Sequence, residues 1–149
     1  TLSGHDGGVW SAVYSPDGQR ILTASGDSTA KVWDTITGLE ILTLIGHRIA
    51  VTSARYSPDG EKIVTTGNDK LAKVWDAETG VELYTLTGHS DVIHSAVYSP
   101  DGKRIMTASS DQTIRVYTTD IEELLAIAKS RATRQLTVEE RERYGIPNQ

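Results

Sequence analysis

A unit of 42 residues is written three times into this chain. Gly4-His5 returns as Gly46-His47 and Gly88-His89, each pair 42 residues after the last. Ser15-Pro16-Asp17-Gly18 returns in the same register as Ser57-Pro58-Asp59-Gly60 and Ser99-Pro100-Asp101-Gly102. Trp33-Asp34 becomes Trp75-Asp76, and Tyr117-Thr118 keeps the spacing while losing the pair. A fixed period of this length means that each unit is one supersecondary element that cannot bury its apolar surface alone. The fold is then built by stacking units.

Within a unit the pattern predicts four short strands. Val9 to Tyr14 runs into Ser-Pro-Asp-Gly, where Pro presets φ at the second turn position and Gly takes the fourth, so a hairpin follows. Arg20 to Ser25 is rich in β-branched and small residues, Gly26-Asp27-Ser28 makes a tight turn, and Ala30 to Trp33 makes a third strand. A turn at Thr37-Gly38 leads into Glu40 to Leu44.

Four strands in about 42 residues, with Gly-His near one end and Trp-Asp near the other, resemble the WD40 repeats of the β-propeller family that includes G-protein β subunits. The resemblance covers residues 1–117, divided at about 1–45, 46–87 and 88–117, and leaves 118–149 as a tail. It implies an all-β fold of three four-stranded antiparallel blades, a partial propeller followed by a short α-helical tail. It also implies a buried hydrogen-bond network in each blade. By position this is His5, Ser25, Asp27 and Trp33 in the first repeat. The second has His47, Asp69 and Trp75, but Gly67 where the hydroxyl belongs, unless water or Thr65 substitutes. The third has His89, Ser109 and Asp111, with Tyr117 in place of Trp. A half-satisfied polar network is destabilising, so unequal blades are expected, the first being the best ordered.

In that family partners bind the face carrying the turn before the first strand and the turn between the second and third. By position Trp10, Thr52 and His94 are exposed there, and Gly26, Asn68 and Ser110 line the same face. Trp10 is the expected anchor, because indoles are enriched among binding hot spots; the competing expectation is that it packs between blades. The charge of a histidine at 94 makes binding there pH-dependent if it contacts the partner; the competing expectation is a solvated side chain with no such role.

The recurring His, Ser and Asp are also the residue types of a hydrolase triad. They recur with the repeat, however, and no Gly-x-Ser-x-Gly elbow presents a serine, so a structural role is expected and no catalytic residue is assigned. Three of the four histidines lie 42 residues apart, His94 stands alone and there is no cysteine, so neither a metal site nor a cofactor is expected. The formal net charge of −5 and the scatter of the 15 Lys and Arg residues argue against nucleic acid as a partner. No apolar run is long enough for a membrane span, and the lack of cysteine fits a reducing, cytoplasmic setting.

After Tyr117 the period changes. Asp120 caps a helical pattern in which Ile121, Leu124, Leu125 and Ala128 share one face, and Thr137 with Glu140 forms a second capping-box start. The stretch from Asp120 to Tyr144 is similar to the tail that ends many large bacterial WD-repeat proteins, and this implies the end of a bacterial signalling or defence protein. The first helix is expected to cover the edge of the last blade. Three blades do not make an ordinary ring, which needs 4 to 8. The expectation is therefore either further blades in a longer parent chain or closure by copies of this one. The function that follows is a non-enzymatic scaffold or sensor that binds a protein or peptide. A segment that merely completes a ring is the alternative, and a Ser/His/Asp hydrolase the remote one.

Overall fold

Each Ser-Pro-Asp-Gly segment closes a hairpin by the same bonds. Gly18, Gly60 and Gly102 donate their N–H to the carbonyls of Ser15, Ser57 and Ser99 at 2.9 Å. The serine hydroxyl binds the aspartate two residues on, at 2.6 Å for Ser15 and Asp17. The three glycines have φ between 71° and 77°, where any side chain would be strained. Asp17, Asp59 and Asp101 thus work as turn residues, as their pattern implies.

These turns organise a computed structural model that describes residues 1–120. Residues 121–149 lie outside the described residues, and with them both helices expected after Asp120. The first sheet contains β1 (Val9–Tyr14), β2 (Arg20–Ser25), β3 (Thr29–Asp34) and β4 (Glu40–Ile45). The second contains β5 (Val51–Tyr56), β6 (Lys62–Gly67), β7 (Ala72–Asp76) and β8 (Glu82–Leu86). The third contains β9 (Ile93–Tyr98), β10 (Arg104–Ser109) and β11 (Ile114–Thr118). All neighbours are antiparallel and in chain order, and the third sheet has three strands among the described residues. The fold is all-β.

Asp34 and Asp76 close the turn after the third strand. Asp34 Oδ1 accepts from the N–H of Ile36 (3.0 Å) and Thr37 (2.7 Å) and from the Thr37 hydroxyl (2.8 Å), and Asp76 repeats the arrangement with Glu78 and Thr79.

The sheets stack in sequence, with β5 packed against both β1 and β9. Leu22, Ala24, Ala30, Val32 and Leu44 of the first sheet meet Val51, Ala54, Ile63 and Trp75 of the second in one core. Val64, Ala72 and Val74 of the second meet Ile93, Ala96 and Ile105 of the third in another. Arg20 reaches across the first joint to Glu78 (2.7 Å) and to the Ala77 carbonyl (3.2 Å). The middle sheet is therefore covered on both faces, most completely along β6 and β7.

Candidate functional site

At the end of each sheet opposite the Ser-Pro-Asp-Gly hairpins, a histidine from the loop before the first strand is buried against an aspartate from the turn between the second and third. His5 Nδ1 lies 2.7 Å from Asp27 Oδ2, His47 Nδ1 2.9 Å from Asp69, and His89 Nδ1 2.7 Å from Asp111 Oδ2. The other ring nitrogen meets a threonine hydroxyl: Thr23 at 2.7 Å, Thr65 at 2.8 Å and Thr107 at 2.7 Å. In the first two sheets that threonine oxygen also accepts the indole N–H of Trp33 or Trp75 at 2.8 Å. The proton order that satisfies every group runs from indole N–H to threonine oxygen, threonine O–H to Nε2, and Nδ1–H to carboxylate.

This geometry corrects the expected network. Ser25 is not in it: its oxygen accepts the Asp27 N–H at 3.2 Å. Ser109 likewise accepts the Asp111 N–H and donates to the Asp91 carbonyl, each at 3.1 Å. Both sit one strand step beyond the imidazole, and the hydroxyl in reach belongs to the threonine two residues earlier. Gly67 therefore leaves no gap, since Thr65 completes the second network. A Cβ at Gly67 would instead stand 2.7 Å from His47 Nδ1 and 2.8 Å from Asp69 Oδ1. The first network is thus not the only complete one. The third stops at Thr107, because the Tyr117 hydroxyl reaches past it to the Thr87 carbonyl at 3.1 Å.

Each aspartate also fastens backbone. Asp27 Oδ2 accepts the Asp6 N–H at 3.0 Å while Oδ1 accepts the N–H (2.9 Å) and hydroxyl (2.7 Å) of Thr29. Asp69 binds Arg48 N–H, and Asp111 binds Ser90 N–H with Thr113. One carboxylate thus ties two loops together. Burial by itself would raise the Asp27 carboxyl, but the bonds from Thr29, His5 and Asp6 outweigh it and hold the group well below the usual carboxylate range. The Thr113 hydroxyl leads the same effect at Asp111, aided by His89 and Ser90 against burial. Burial lowers the His47 imidazole below its ordinary value, against the pull of Asp69. His47 is therefore the neutral, Nδ1-protonated member that the proton order requires.

The fastened loops carry the candidate contact residues. In every first strand the pairing slips by one residue: Val9 pairs with Ser25 and Ser11 with Ala24, leaving Trp10 over. The same slip leaves Thr52 between Val51 and Ser53, and His94 between Ile93 and Ser95. A bulge of this kind turns its extra residue out of the pleat. Beside each bulge a backbone bond of 2.9 Å joins the loops, from Gly26 N–H to the Gly8 carbonyl, from Asn68 to Ala50 and from Ser110 to Val92. The residues at 26, 68 and 110 thereby come next to those at 10, 52 and 94.

The three positions are not alike. Trp10 is 59% exposed. Its Nε1 would lie 3.3 Å from a Cβ on Gly26 and 3.5 Å from one on Gly8, so the indole rests on a floor without side chains. His94 is exposed and its Nε2 lies 2.6 Å from Ser110 Oγ, also exposed. Thr52 departs from the expectation of exposure: it is half-buried, 2.8 Å from Thr66 Oγ1, and donates to the Ile93 carbonyl of the next sheet at 2.6 Å. Asn68 is half-buried as well. Among the described residues no group of three His, Cys, Asp or Glu side chains converges closely enough to hold a metal ion. No helix among them is long and apolar enough to cross a membrane.

Residues 1–34, 38–76 and 80–118 match the WD40 family, described as WD domain, G-beta repeat. The chain belongs to the WD40 family. It is similar to the serine-threonine kinase receptor-associated protein of Dictyostelium discoideum, 48% identical over 44 residues, which are 30% of this chain and 15% of that protein. The human protein of that name is also 48% identical over 44 residues, 30% of this chain and 13% of its own. The vegetative incompatibility protein HET-E-1 of Podospora anserina is 50% identical over 38 residues, 26% of this chain and 3% of that one. The matched stretches thus span a small part of these relatives. As WD40 blades, the sheets belong to a family of protein-binding repeats.

Missing hydroxyls give a direct check of the corrected network. Thr65→Val keeps the shape and leaves both His47 Nε2 and Trp75 Nε1 unpartnered, whereas Thr107→Val strands His89 Nε2 alone. At about 1–3 kcal/mol per stranded group, urea unfolding is expected to show the first variant less stable than the second by about 1 kcal/mol or more. Equal losses would contradict the assignment.

The depressed His47 also sets a pH dependence. The unfolded histidine, near 6.5, takes up its proton before the folded one, so stability from this group is full above that value and is lost as pH falls through the folded pKa. Denaturation midpoints between about pH 7.5 and 5 are expected to fall, and to fall less steeply in His47→Gln. A steeper fall in the variant would refute this.

Proposed function

We propose that this chain is a non-catalytic protein-interaction module, a scaffold or sensor surface belonging to the propeller of a larger bacterial signalling or regulatory protein in the cytoplasm. The observation that carries the reading is Trp10: an indole turned outward by a bulge, 59% exposed, seated on Gly8 and Gly26, on loops held by the His5 and Asp27 pair. A rigid aromatic on a fastened platform loses little freedom on binding and is the usual anchor for a protein or peptide. His94 and Ser110, hydrogen-bonded and exposed, extend that surface. Thr52 and Asn68 contribute less, being half-buried.

The bacterial assignment rests on the resemblance of the tail, since the relatives named above are eukaryotic. The name of one relative records association with a receptor kinase, in keeping with a binding role here. Non-catalytic action is favoured because the hydroxyls beside the buried imidazoles are threonines engaged in the relay, while Ser25 and Ser109 serve the turns. In this reading nucleic acid is not a partner, and the ring is completed by further blades of a longer chain or by copies of this one. The second reading, a segment that only completes a ring, draws on Thr52, whose place in the row is given over to bonding the next blade.

A displayed peptide library selected against the full chain separates the two. Peptides held by the row are expected to lose affinity by about 2 kcal/mol or more on Trp10→Ala, some 30-fold, and to be unaffected by Ile36→Ala on a remote turn. Equal affinity for the Trp10→Ala protein with unchanged unfolding would support the ring-completing segment instead.

A further inference from the structure

On the hairpin side of the molecule, at the end opposite the contact row, the first two blades leave a cavity of about 260 Å³ between them. Asp17 of the first hairpin, Asp59 of the second, Tyr56 at the end of β5 and the Arg20 and Glu78 pair line it. Both of its walls lie within the described residues. Sites for cofactors and drug-sized ligands run to roughly 300–1,000 Å³, so this one has the size for a single long side chain.

Arg20 is already engaged there by Glu78 and the Ala77 carbonyl, which leaves Asp17 and Asp59 without an ion-pair partner among the described residues. One oxygen of each is taken by its own turn. Asp17 Oδ1 accepts the Ser15 hydroxyl (2.6 Å) and the Gln19 N–H (3.0 Å), and Asp59 Oδ1 accepts the Ser57 hydroxyl (2.5 Å) and the Glu61 N–H (3.0 Å). No bond from another described residue reaches the second oxygen of either. The serine hydroxyls, then the backbone N–H groups, hold both carboxyls below the usual carboxylate range, so both are charged at neutral pH. The Tyr56 ring packs against the core between the two blades, but its hydroxyl is buried with no partner at all. Burial pushes the phenol up to about 12, so it stays protonated, and the charges that act on it are those of Arg20 and Asp17. A buried hydroxyl left unpaired is costly, and it marks a place where a further group completes the bonding.

We propose that this cavity takes an arginine side chain of a partner protein, its guanidinium donating to Asp17, Asp59 and the Tyr56 hydroxyl. The two free carboxylate oxygens select a cation and repel an anion. A metal ion does not match them, because among the described residues no three such side chains converge on one point. A guanidinium does: its five N–H donors form a planar fork that meets acceptors standing apart, where a lysine ammonium is a single point of charge. The groove continues past Glu61 and Asp76, adding two carboxylates and no further basic residue, so the segment that carries the arginine is itself basic. This docking place goes beyond the contact row and lies at the other end of the blades. A chain with both surfaces joins two partners, which is what a scaffold requires.

The test is an NMR titration of the full chain with a blocked glycine peptide carrying one central arginine, beside the same peptide with lysine or citrulline in its place. The arginine peptide is expected to give saturable amide shifts confined to the two hairpins, Tyr56 and Glu78. The lysine peptide is expected to bind more weakly, and the citrulline peptide, which keeps the shape and lacks the charge, not at all. Tyr56→Phe is expected to weaken arginine binding about tenfold while unfolding in urea no earlier than the parent, because the hydroxyl it lacks has no partner in the free protein. Asp59→Asn keeps the oxygen that serves the turn and loses the charge, and it too is expected to cost about tenfold. Asp17→Asn replaces it should it not fold. Absence of a saturable shift, equal binding of the lysine or citrulline peptide, or full affinity in Tyr56→Phe and Asp59→Asn would each overturn the proposal. Trp10→Ala is expected to bind the arginine peptide unchanged, so this inference and the role of the contact row fail independently.

Discussion

An imidazole buried between a carboxylate and a threonine hydroxyl is the contact on which the rest of each blade depends. The histidine comes from the loop before the first strand, the aspartate from the turn between the second and third, and the threonine from the second strand. Neither loop has regular structure of its own to fix it. The aspartate goes further and accepts backbone N–H groups from both sides, so one buried charge sets the separation of the two loops. Because the loops are held, the bulge between them is held, and the direction of its extra side chain follows.

The blades share this device unequally: the departure expected at Tyr117 of the third is present, whereas the one expected at Gly67 of the second is not. The second blade, with glycine at 67, has the complete relay and is covered on both faces. The third loses its last link because a phenol extends further than an indole N–H and finds the Thr87 carbonyl instead of Thr107. Trp75 also packs in the core between the first two blades, so the residue that ends the relay is part of the joint. Network and stacking are thus coupled: a blade with a tryptophan at this position ties its loops and its neighbour through one side chain.

The repeat made the strands, the hairpins and the family legible, since turn chemistry and period are local properties. It also placed His5, Asp27 and Trp33 in the network, with His47, Asp69 and Trp75 in the second repeat and His89 and Asp111 in the third. The hydroxyl was misassigned to Ser25 and Ser109, although a signal was present: Thr23, Thr65 and Thr107 recur at the repeat interval without exception, while 25, 67 and 109 vary as Ser, Gly and Ser. Which of two hydroxyls on one strand reaches an imidazole depends on pairing register, and register is set by the whole sheet. The bulges were illegible for the same reason, being a mismatch between two strands and not a property of either. This is also why Thr52, equivalent to Trp10 by position, proved to be half-buried: its environment is made by the next blade.

The central claim is that a neutral, Nδ1-protonated imidazole at His47 holds the two loops of its blade together. A long-range ¹H–¹⁵N correlation spectrum of the folded chain near neutral pH reads the tautomer directly. The account predicts a slowly exchanging Hδ1 on His47 with Nε2 free of hydrogen, as the bonds to Asp69 and Thr65 require. An Nε2–H tautomer, or an Hδ1 lost to rapid exchange with solvent, would contradict it.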